Sequence, residues 1–250
     1  IHDIFCDFFY VLFKMQLLVL AGGFGSRLKS VVSNVPKPLA PINGIPFLSF
    51  QLDNWCSQGI KEFIFLLHYE ANTIIEFLNA WNNLDANQDI KMRFVIEHSP
   101  LGTGGSVANA VQILNLTSDF LVTNADTWLG SGIQELSHAS APVISVVEVA
   151  NAKRYGTIAF DKNFCVTRFA EKVESENSGW INAGLSLLHP EIFSSWDGKK
   201  TSLEADYFPS LVKKNYLIAL PLKDNFIDIG IPEDYHRFCK WIEQAQQGQL

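Results

Sequence analysis

Three glycines and nearby basic side chains form the strongest chemical signal in this sequence. Residues 20–28 read LAGGFGSRL, so the glycines follow an apolar run and Arg27 and Lys29 come next. Glycine lets backbone N–H groups approach phosphate oxygens, and such a loop can cradle a triphosphate. A structural turn would explain the glycines, but not a second basic residue, Lys37, held between two prolines that fix its direction. Leu28 stands where the dinucleotide fingerprint GxGxxG requires glycine, and the P-loop motif is absent.

Two acidic residues lie at the ends of apolar segments. Asp126 closes FLVTNAD, and Asp228 lies within FIDIG. Two carboxylates from distant segments suit Mg²⁺, which keeps several waters and also takes phosphate oxygens. Taken alone, either residue is better explained as a helix cap or a turn former.

Short apolar runs that alternate with amphipathic ones must position these groups. Strands are predicted at residues 17–21, 62–67, 92–97 and 120–124, and helices at residues 46–58, 70–79 and 104–114. This alternation predicts an α/β, Rossmann-like, mixed but mostly parallel sheet with helices on both faces. In such sheets ligands bind beyond the carboxyl ends of the strands, which is where the suspected residues fall.

The second half of the sequence has a more antiparallel pattern. Strands are predicted at 155–160, 165–171 and 181–188, a helical segment at 203–214, and a strand pair near 217–221 and 226–229. A last helix is predicted to begin at Pro232, a favoured first helical position. Residues 15–250 are therefore interpreted as a single domain. The apolar residues 1–14 are too short to span a bilayer and are interpreted as an extension outside the core, with Met15 as the natural start.

The composition restricts the class of partner. The chain has 250 residues, 48% of them hydrophobic, and a net charge of −7. An acidic surface repels phosphate backbones and anionic lipid, which argues against nucleic-acid or membrane binding. The four cysteines are widely spaced, as is typical of reduced thiols in a cytoplasmic protein.

Several further segments accompany the glycine loop in a fixed order. LAGGFGSRL and PKPLAPI are followed by PLGTGG at 100–105, NAD at 124–126, YG at 155–156, EK at 171–172, NAG at 182–184 and DIGIPEDY at 228–235. Together they resemble the sugar-phosphate nucleotidyltransferases from Met15 to the last helix, and within them most closely the heptose 1-phosphate guanylyltransferases. The resemblance implies a fold of the nucleotide-diphospho-sugar transferase type. Residues 15–150 would form its nucleotide-binding half, and residues 151–250 a sugar-phosphate half with a small antiparallel sugar-binding part.

The resemblance also implies a role for each matching residue. Catalytic roles fall to Arg27, Lys37 and Lys172, the last on the phosphate of the sugar. Nucleotide binding falls to Leu20, Ala21, Gly22, Gly23, Gly25, Glu97, Gly102, Thr103 and Asn124. Sugar contacts fall to Gly156, Glu171 and Asn182. The metal ligands are Asp126 and Asp228, and the cofactor is Mg²⁺, with Mn²⁺ as a substitute. Ala125 departs from the pattern because the family usually has glycine there, which puts the backbone geometry of that loop in question.

The implied activity is transfer of a nucleoside monophosphate from a nucleoside triphosphate to a sugar 1-phosphate, with release of pyrophosphate. GTP is the expected nucleotide, because Glu97 can accept hydrogen bonds from both N1–H and the N2 amino group of guanine. The alternatives are a uridylyl- or thymidylyltransferase acting on a hexose or amino-sugar phosphate, and a catalytically inactive regulatory homologue. The expected setting is cytoplasmic synthesis of lipopolysaccharide, capsule or S-layer glycan precursors by a monomer or homodimer.

Overall fold

The computed structural model of the chain describes residues 15–25, 27–28, 30–32, 35–170 and 178–248. The helices are α1 Phe47–Ser57, α2 Ala71–Asn82, α3 Gly102–Leu114, α4 Ile133–Ser137, α5 Phe208–Lys213 and α6 Pro232–Gln246. The strands are β1 Gln16–Leu20, β2 Pro41–Ile42, β3 Ile45–Pro46, β4 Glu62–Leu67, β5 Lys91–Ile96, β6 Phe120–Asn124, β7 Thr127–Leu129, β8 Val143–Val149, β9 Thr157–Phe160, β10 Val166–Ala170, β11 Gly179–Leu188, β12 Ile218–Leu222 and β13 Phe226–Asp228. No helix in these described stretches is long and apolar enough to cross a bilayer.

A nine-stranded mixed sheet carries the fold. Strands β6, β1, β4 and β5 are mutually parallel, and β11 joins them antiparallel through β6. Strands β9 and β10 extend the sheet beyond β11, while β8 pairs with β11 and β12 pairs with β8. The predicted fold class, a mixed sheet whose second half is more antiparallel, is confirmed.

Alternate residues of the central strands pack into two different cores. Leu17 and Val19 of β1 lie in one cluster with residues of α1 and α2. Leu18 lies in a second cluster with residues of α3 and α5. Because successive strand side chains point to opposite faces, helices cover both faces of the sheet, as the sequence predicted.

A two-stranded sheet outside the main one decides where the functional groups lie. β7 pairs antiparallel with β13, and Thr127 is opposite Asp228. Trp128 and Ile227 of these strands pack against Phe238 of α6 in a third apolar cluster. The sequence treated residues 217–221 and 226–229 as a strand pair, and that pairing is wrong, since β12 pairs with β8 and β13 with β7.

Other differences from the sequence prediction include one unpredicted strand and one helix start. Strand β8 was not predicted, although its residues 143–147 are buried. Helix α3 begins at Gly102 rather than at residue 104, because backbone N–H groups of Gly104 and Gly105 donate to the carbonyl of Thr201 and anchor the first turn. The last helix begins at Pro232 as predicted.

Candidate active site

The glycine loop lies at the carboxyl end of β1, in the middle of the parallel strands. The N–H of Ala21 donates to the carbonyl of Leu66, 3.0 Å away, which extends the sheet by one residue. Gly25 has a φ of +59°, and a Cβ atom there would lie 3.0 Å from Cβ of Lys37. Glycine at position 25 therefore suits both the positive φ and the close approach of the loop to Lys37. A cavity of about 230 Å³ opens beside it, lined by Leu20, Ala21, Gly23, Gly25, Arg27, Lys37, Pro38, Ala125, Asp126 and Gly230.

Lys37 lies between the two predicted metal ligands. Its ammonium group contacts Asp126 Oδ2 and lies 3.5 Å from Asp228 Oδ1. The lysine side chain is only 10% exposed, whereas the two carboxylates retain 34% and 30% of their exposure. A short 3₁₀ turn, Lys37–Leu39, fixes the start of the side chain, since Leu39 N–H donates to the carbonyl of Pro36.

The β7–β13 pair brings the two carboxylates together. Asp126 lies in the turn between β6 and β7, since β6 ends at Asn124, and Asp228 is the last residue of β13. The N–H of Ile229 donates to the carbonyl of Asp126 at 3.0 Å, and the N–H of Gly230 donates to Asp228 Oδ1 at 2.8 Å. Ala125 is not among the described residues with positive φ, and its N–H donates to the carbonyl of Leu20. An ordinary backbone therefore serves at the position where the family usually has glycine.

These two carboxylates fit a magnesium ion. One cation, the Lys37 ammonium, already lies within 3.5 Å of an oxygen of each. The described stretches contain no group of three or more His, Cys, Asp or Glu side chains that could form a complete protein cage. Mg²⁺ commonly takes one or two carboxylates and fills its remaining positions with water and substrate phosphate.

A larger cavity of about 560 Å³ adjoins the first, and Arg27 lines both. Asn124, Gly156, Asn182 and Asp228 line it among the residues proposed from the sequence. The two remaining sugar-half residues, Glu171 and Lys172, lie outside the described residues.

Glu97, predicted to read the nucleotide base, and Thr103, predicted to bind the nucleotide, are held by other parts of the protein. Glu97 is 8% exposed, and its Oε2 accepts a hydrogen bond from the N–H of Leu101 at 2.9 Å. The hydroxyl of Thr103 donates to Glu204 Oε2 at 2.8 Å and accepts from the N–H of Leu203. Neither Glu97 nor Thr103 lines the two cavities. Glu204, interpreted from the sequence as mainly structural, both holds Thr103 and lines the larger cavity.

Sequence reasoning missed Arg154 as a candidate. Its guanidinium lines the larger cavity, contacts Asp234 through Nη2, and donates to the hydroxyl of Tyr155 at 2.8 Å. Burial raises the pKa of the Tyr155 hydroxyl, although the neighbouring Arg154 charge opposes that rise. The sequence feature that could have pointed to Arg154 is its position directly before the Tyr155–Gly156 segment.

Comparisons with known proteins identify similar sequences and a similar solved structure. The D-glycero-alpha-D-manno-heptose 1-phosphate guanylyltransferase of Campylobacter jejuni is 35% identical over 225 residues, which cover 90% of this chain and 98% of that protein. The mannose-1-phosphate guanylyltransferase catalytic subunit beta of Drosophila melanogaster is 30% identical, over 94% of this chain and 64% of its own length. The crystal structure of HddC from Yersinia pseudotuberculosis complexed with GMP-PN superposes with a TM-score of 0.77 at 36% identity, covering 91% of this chain and 99% of that one.

The match to the family extends over nearly the whole chain. It includes residues 16–245, and therefore the glycine loop, both carboxylates and the larger cavity. The chain belongs to the nucleotidyl transferase family.

Proposed function

We propose that this chain transfers the GMP unit of GTP to a sugar 1-phosphate and releases pyrophosphate. The carrying observation is the Lys37 ammonium beside two carboxylates, at a glycine-lined cavity that continues past Arg27 into a larger one. Two anionic substrates must meet for this reaction, and cations at the junction of two cavities offset their repulsion. The guanylyltransferase relatives support GTP as the nucleotide.

The chemistry needs alignment rather than a protein nucleophile. A phosphate oxygen of the sugar 1-phosphate attacks the α-phosphorus, and the bond from that phosphorus to the pyrophosphate oxygen breaks. Backbone N–H groups of the glycine loop would hold the triphosphate, while Arg27 and Lys37 neutralise the charge that develops on the departing pyrophosphate. Lys172 would hold the phosphate of the sugar, and Asn182, Glu171 and Gly156 its hydroxyl groups.

Asp126 and Asp228 are proposed to hold Mg²⁺, with Mn²⁺ as a substitute. The ion supplies Lewis-acid stabilisation of phosphate charge. Both carboxylates face the cavities where the phosphates would lie, and both lie close to Lys37.

The sugar and the cellular setting are finer proposals. D-glycero-α-D-manno-heptose 1-phosphate is the first candidate because of the Campylobacter relative, and the product would then feed lipopolysaccharide, capsule or S-layer glycans. A cytoplasmic location is proposed because Cys56, Cys165 and Cys239 are free thiols, as expected in a reducing compartment. A monomer or a homodimer would suffice, since the described cavities form within one chain.

The test is a substrate panel read by pyrophosphate release. GTP, UTP, dTTP and ATP would each be combined with heptose, mannose and glucose 1-phosphates. Fastest turnover with GTP and the heptose or mannose phosphate supports the proposal. Fastest turnover with UTP or dTTP would replace it with a uridylyl- or thymidylyltransferase. Binding of nucleotide without any turnover would indicate a regulatory homologue.

A further inference from the structure

One guanidinium connects two distant segments of the proposed active site. Nη2 of Arg154 contacts Asp234 Oδ2 and also donates to the Tyr155 hydroxyl at 2.8 Å. Arg154 and Tyr155 directly precede Gly156, a proposed sugar contact, whereas Asp234 belongs to helix α6. Through Arg154 the two segments meet although they lie 80 residues apart in the sequence.

Asp234 is fixed firmly enough to act as an anchor. It is 4% exposed and is the third residue of α6, where the positive end of the helix dipole favours a carboxylate. The helix follows directly on β13 and the turn at Asp228 and Gly230. A shift of the first turn of α6 would therefore move the proposed metal ligand.

Tyr155, the other partner of the Arg154 guanidinium, packs against β13, the strand that carries Asp228. The Tyr155 ring packs edge-on against Phe226 of β13, with ring centroids 5.4 Å apart. Phe226 is two residues before Asp228, and both line the larger cavity with Arg154 and Tyr155. Gly156 follows at once, and a Cβ there would lie 2.8 Å from the carbonyl oxygen of Ala170 at the end of β10. The Tyr155–Gly156 segment thus has little room to move independently.

The Arg154–Asp234 pair differs from an ordinary surface ion pair. Exposed pairs contribute little because water screens them. Here the Asp234 side chain is 6% exposed, and the Arg154 side chain, at 43%, keeps a face toward the cavity. Asp234 also has a second partner on its other oxygen, Nη2 of Arg237 at 3.2 Å, whose side chain is 55% exposed.

We propose that Arg154 is a positioning residue that holds the Tyr155–Gly156 sugar segment at a fixed distance from the metal-bearing β13–α6 turn. This inference rests on the proposed function. Arg154 acts on the sugar 1-phosphate through the segment that it orients, and the nucleotide is held by separate elements around β1. Loss of Arg154 therefore weakens sugar use and leaves nucleotide binding intact.

The test compares Arg154→Met, Arg154→Lys and, as matched control, Arg237→Met. The control removes the other guanidinium from the same carboxylate but leaves the segment before Gly156 unchanged. In Arg154→Met the carboxylate keeps Arg237 and the start of the helix, so the variant should fold. Each protein would be measured for kcat and KM with heptose 1-phosphate and mannose 1-phosphate, for GTP affinity by calorimetry, and for unfolding temperature.

We expect Arg154→Met to raise the KM for the sugar 1-phosphate by about tenfold or more, because small misplacements of a substrate-positioning group are costly. GTP affinity should stay within about twofold of the parent, because the nucleotide is proposed to be held by the elements around β1. Arg154→Lys should recover part of the loss, because lysine keeps a positive charge near Asp234 but has a shorter side chain with which to serve both Asp234 and the Tyr155 hydroxyl. Arg237→Met also loses a hydrogen bond to the Phe226 carbonyl, and it should raise the same KM by less than Arg154→Met does.

The inference would be overturned if Arg154→Met and Arg237→Met had equal effects on the KM for the sugar 1-phosphate. It would also be overturned if Arg154→Met lost GTP affinity and sugar affinity equally and unfolded at a lower temperature, since the ion pair would then only stabilise the fold. If Arg154→Met does not fold, the lysine variant decides, and an unchanged KM there also overturns it. A parent protein that makes no product with either sugar phosphate contradicts the proposed function instead, and that result is separable because it needs no variant.

Discussion

At the scale of single residues, the central feature is one lysine that serves two acidic partners. Two carboxylates placed this close repel each other, and the Lys37 ammonium offsets that repulsion within the described site. The same positive charge faces the cavity beside the glycine loop, where the proposed triphosphate brings further negative charge. Lys37 is thus placed to offset negative charge both before the triphosphate binds and after it has bound.

We predict that Arg27→Met and Lys37→Met each lower kcat by on the order of a hundredfold or more, as for other preorganised electrostatic groups. Steady-state pyrophosphate release measures the effect. Lys91→Met is the control. Lys91 begins β5, its side chain is 77% exposed, and it forms an ion pair with Glu62 and lines neither cavity. Near-normal turnover in both site variants would remove these residues from the catalytic proposal.

We predict that EDTA abolishes turnover and that Mg²⁺ or Mn²⁺ restores it. In Asp228→Asn, half-maximal activity should require roughly tenfold or more metal, because loss of a ligand or its support weakens metal affinity to this degree. Titration of activity with Mn²⁺ provides the measurement, and Asp197→Asn on an exposed turn is the control. An unchanged metal dependence in Asp228→Asn would exclude that residue as a ligand.

We predict that Glu97 favours guanine, with a refinement from the structure. One oxygen of its carboxylate already accepts from the N–H of Leu101, so the variant must keep an acceptor there. Glu97→Gln does so through its amide oxygen but loses the negative charge. If the remaining oxygen serves guanine, kcat/KM for GTP relative to UTP should fall by about tenfold, as expected from 1–3 kcal/mol per unsatisfied polar group. An unchanged ratio would leave Glu97 with its loop contact as its whole role.

Some of the proposed site residues could be predicted from the sequence, and one could not. Arg27 and Lys37 were proposed because basic residues beside a glycine loop are typical of phosphate binding. Asp126 and Asp228 were proposed as metal ligands because both match positions of the family that the sequence resembles. Arg154 was missed because its meaning depends on Asp234, a partner 80 residues away. Local sequence patterns carry no information on such a partner.

At the scale of elements, the start of α3 depends on close backbone packing. Gly102 has a φ of +74°, and a Cβ there would lie 2.4 Å from the carbonyl oxygen of Thr201. The same carbonyl accepts from the N–H groups of Gly104 and Gly105, so it cannot move away without losing both bonds. This explains why a segment of three glycines, poor in helix propensity, begins a helix here.

We predict that Gly102→Ala lowers the free energy of unfolding by about 1–3 kcal/mol more than Gly198→Ala, which is the added cost of overpacking. Gly198 is a matched control because its φ is +87° and a Cβ there would have no neighbour within 4 Å. Both changes carry the strain of a positive φ, and only the first adds a clash. Denaturant unfolding of the two variants measures the difference, and equal losses would contradict the packing argument.

Elements with a strong local pattern were predicted well, and those set by distant partners were not. Strand 62–67 and the start of α6 at Pro232 agree with the sequence prediction, because apolar runs and a helix-starting proline are local signals. The pairing of β12 with β8 and of β13 with β7 was not predictable in this way. A short apolar strand can pair equally well with several others, and only the packing of the whole sheet selects its neighbour.

At the scale of the whole molecule, the described fold begins with the core. Met15 is 8% exposed, β1 starts at Gln16, and the family match starts at the same residue. The start of the domain at Met15 remains a prediction, made from the apolar run that follows this residue, since a buried central strand has few polar positions.

We predict that a chain starting at Met15 folds and transfers GMP as well as the 250-residue chain. The family match begins at residue 16, and β1, which carries the glycine loop at its carboxyl end, begins at Gln16. Thermal unfolding and pyrophosphate release of the two proteins provide the comparison. A chain starting at residue 22, which lacks β1, is the negative control and should not fold. If the chain that starts at Met15 lost activity, residues 1–14 would have a role in folding or catalysis.

The pairing of β7 with β13 has a consequence for the timing of activity during synthesis. The strands β1, β4, β5 and β6 and their helices are complete in the nascent chain long before residues 226–228 are made. Until β13 leaves the ribosome and pairs with β7, Asp126 has no second carboxylate beside it. A nascent or prematurely terminated chain that lacks β13 therefore has only one of the two proposed metal ligands. The fold would thereby delay formation of the proposed metal site until residues 226–228 have been made.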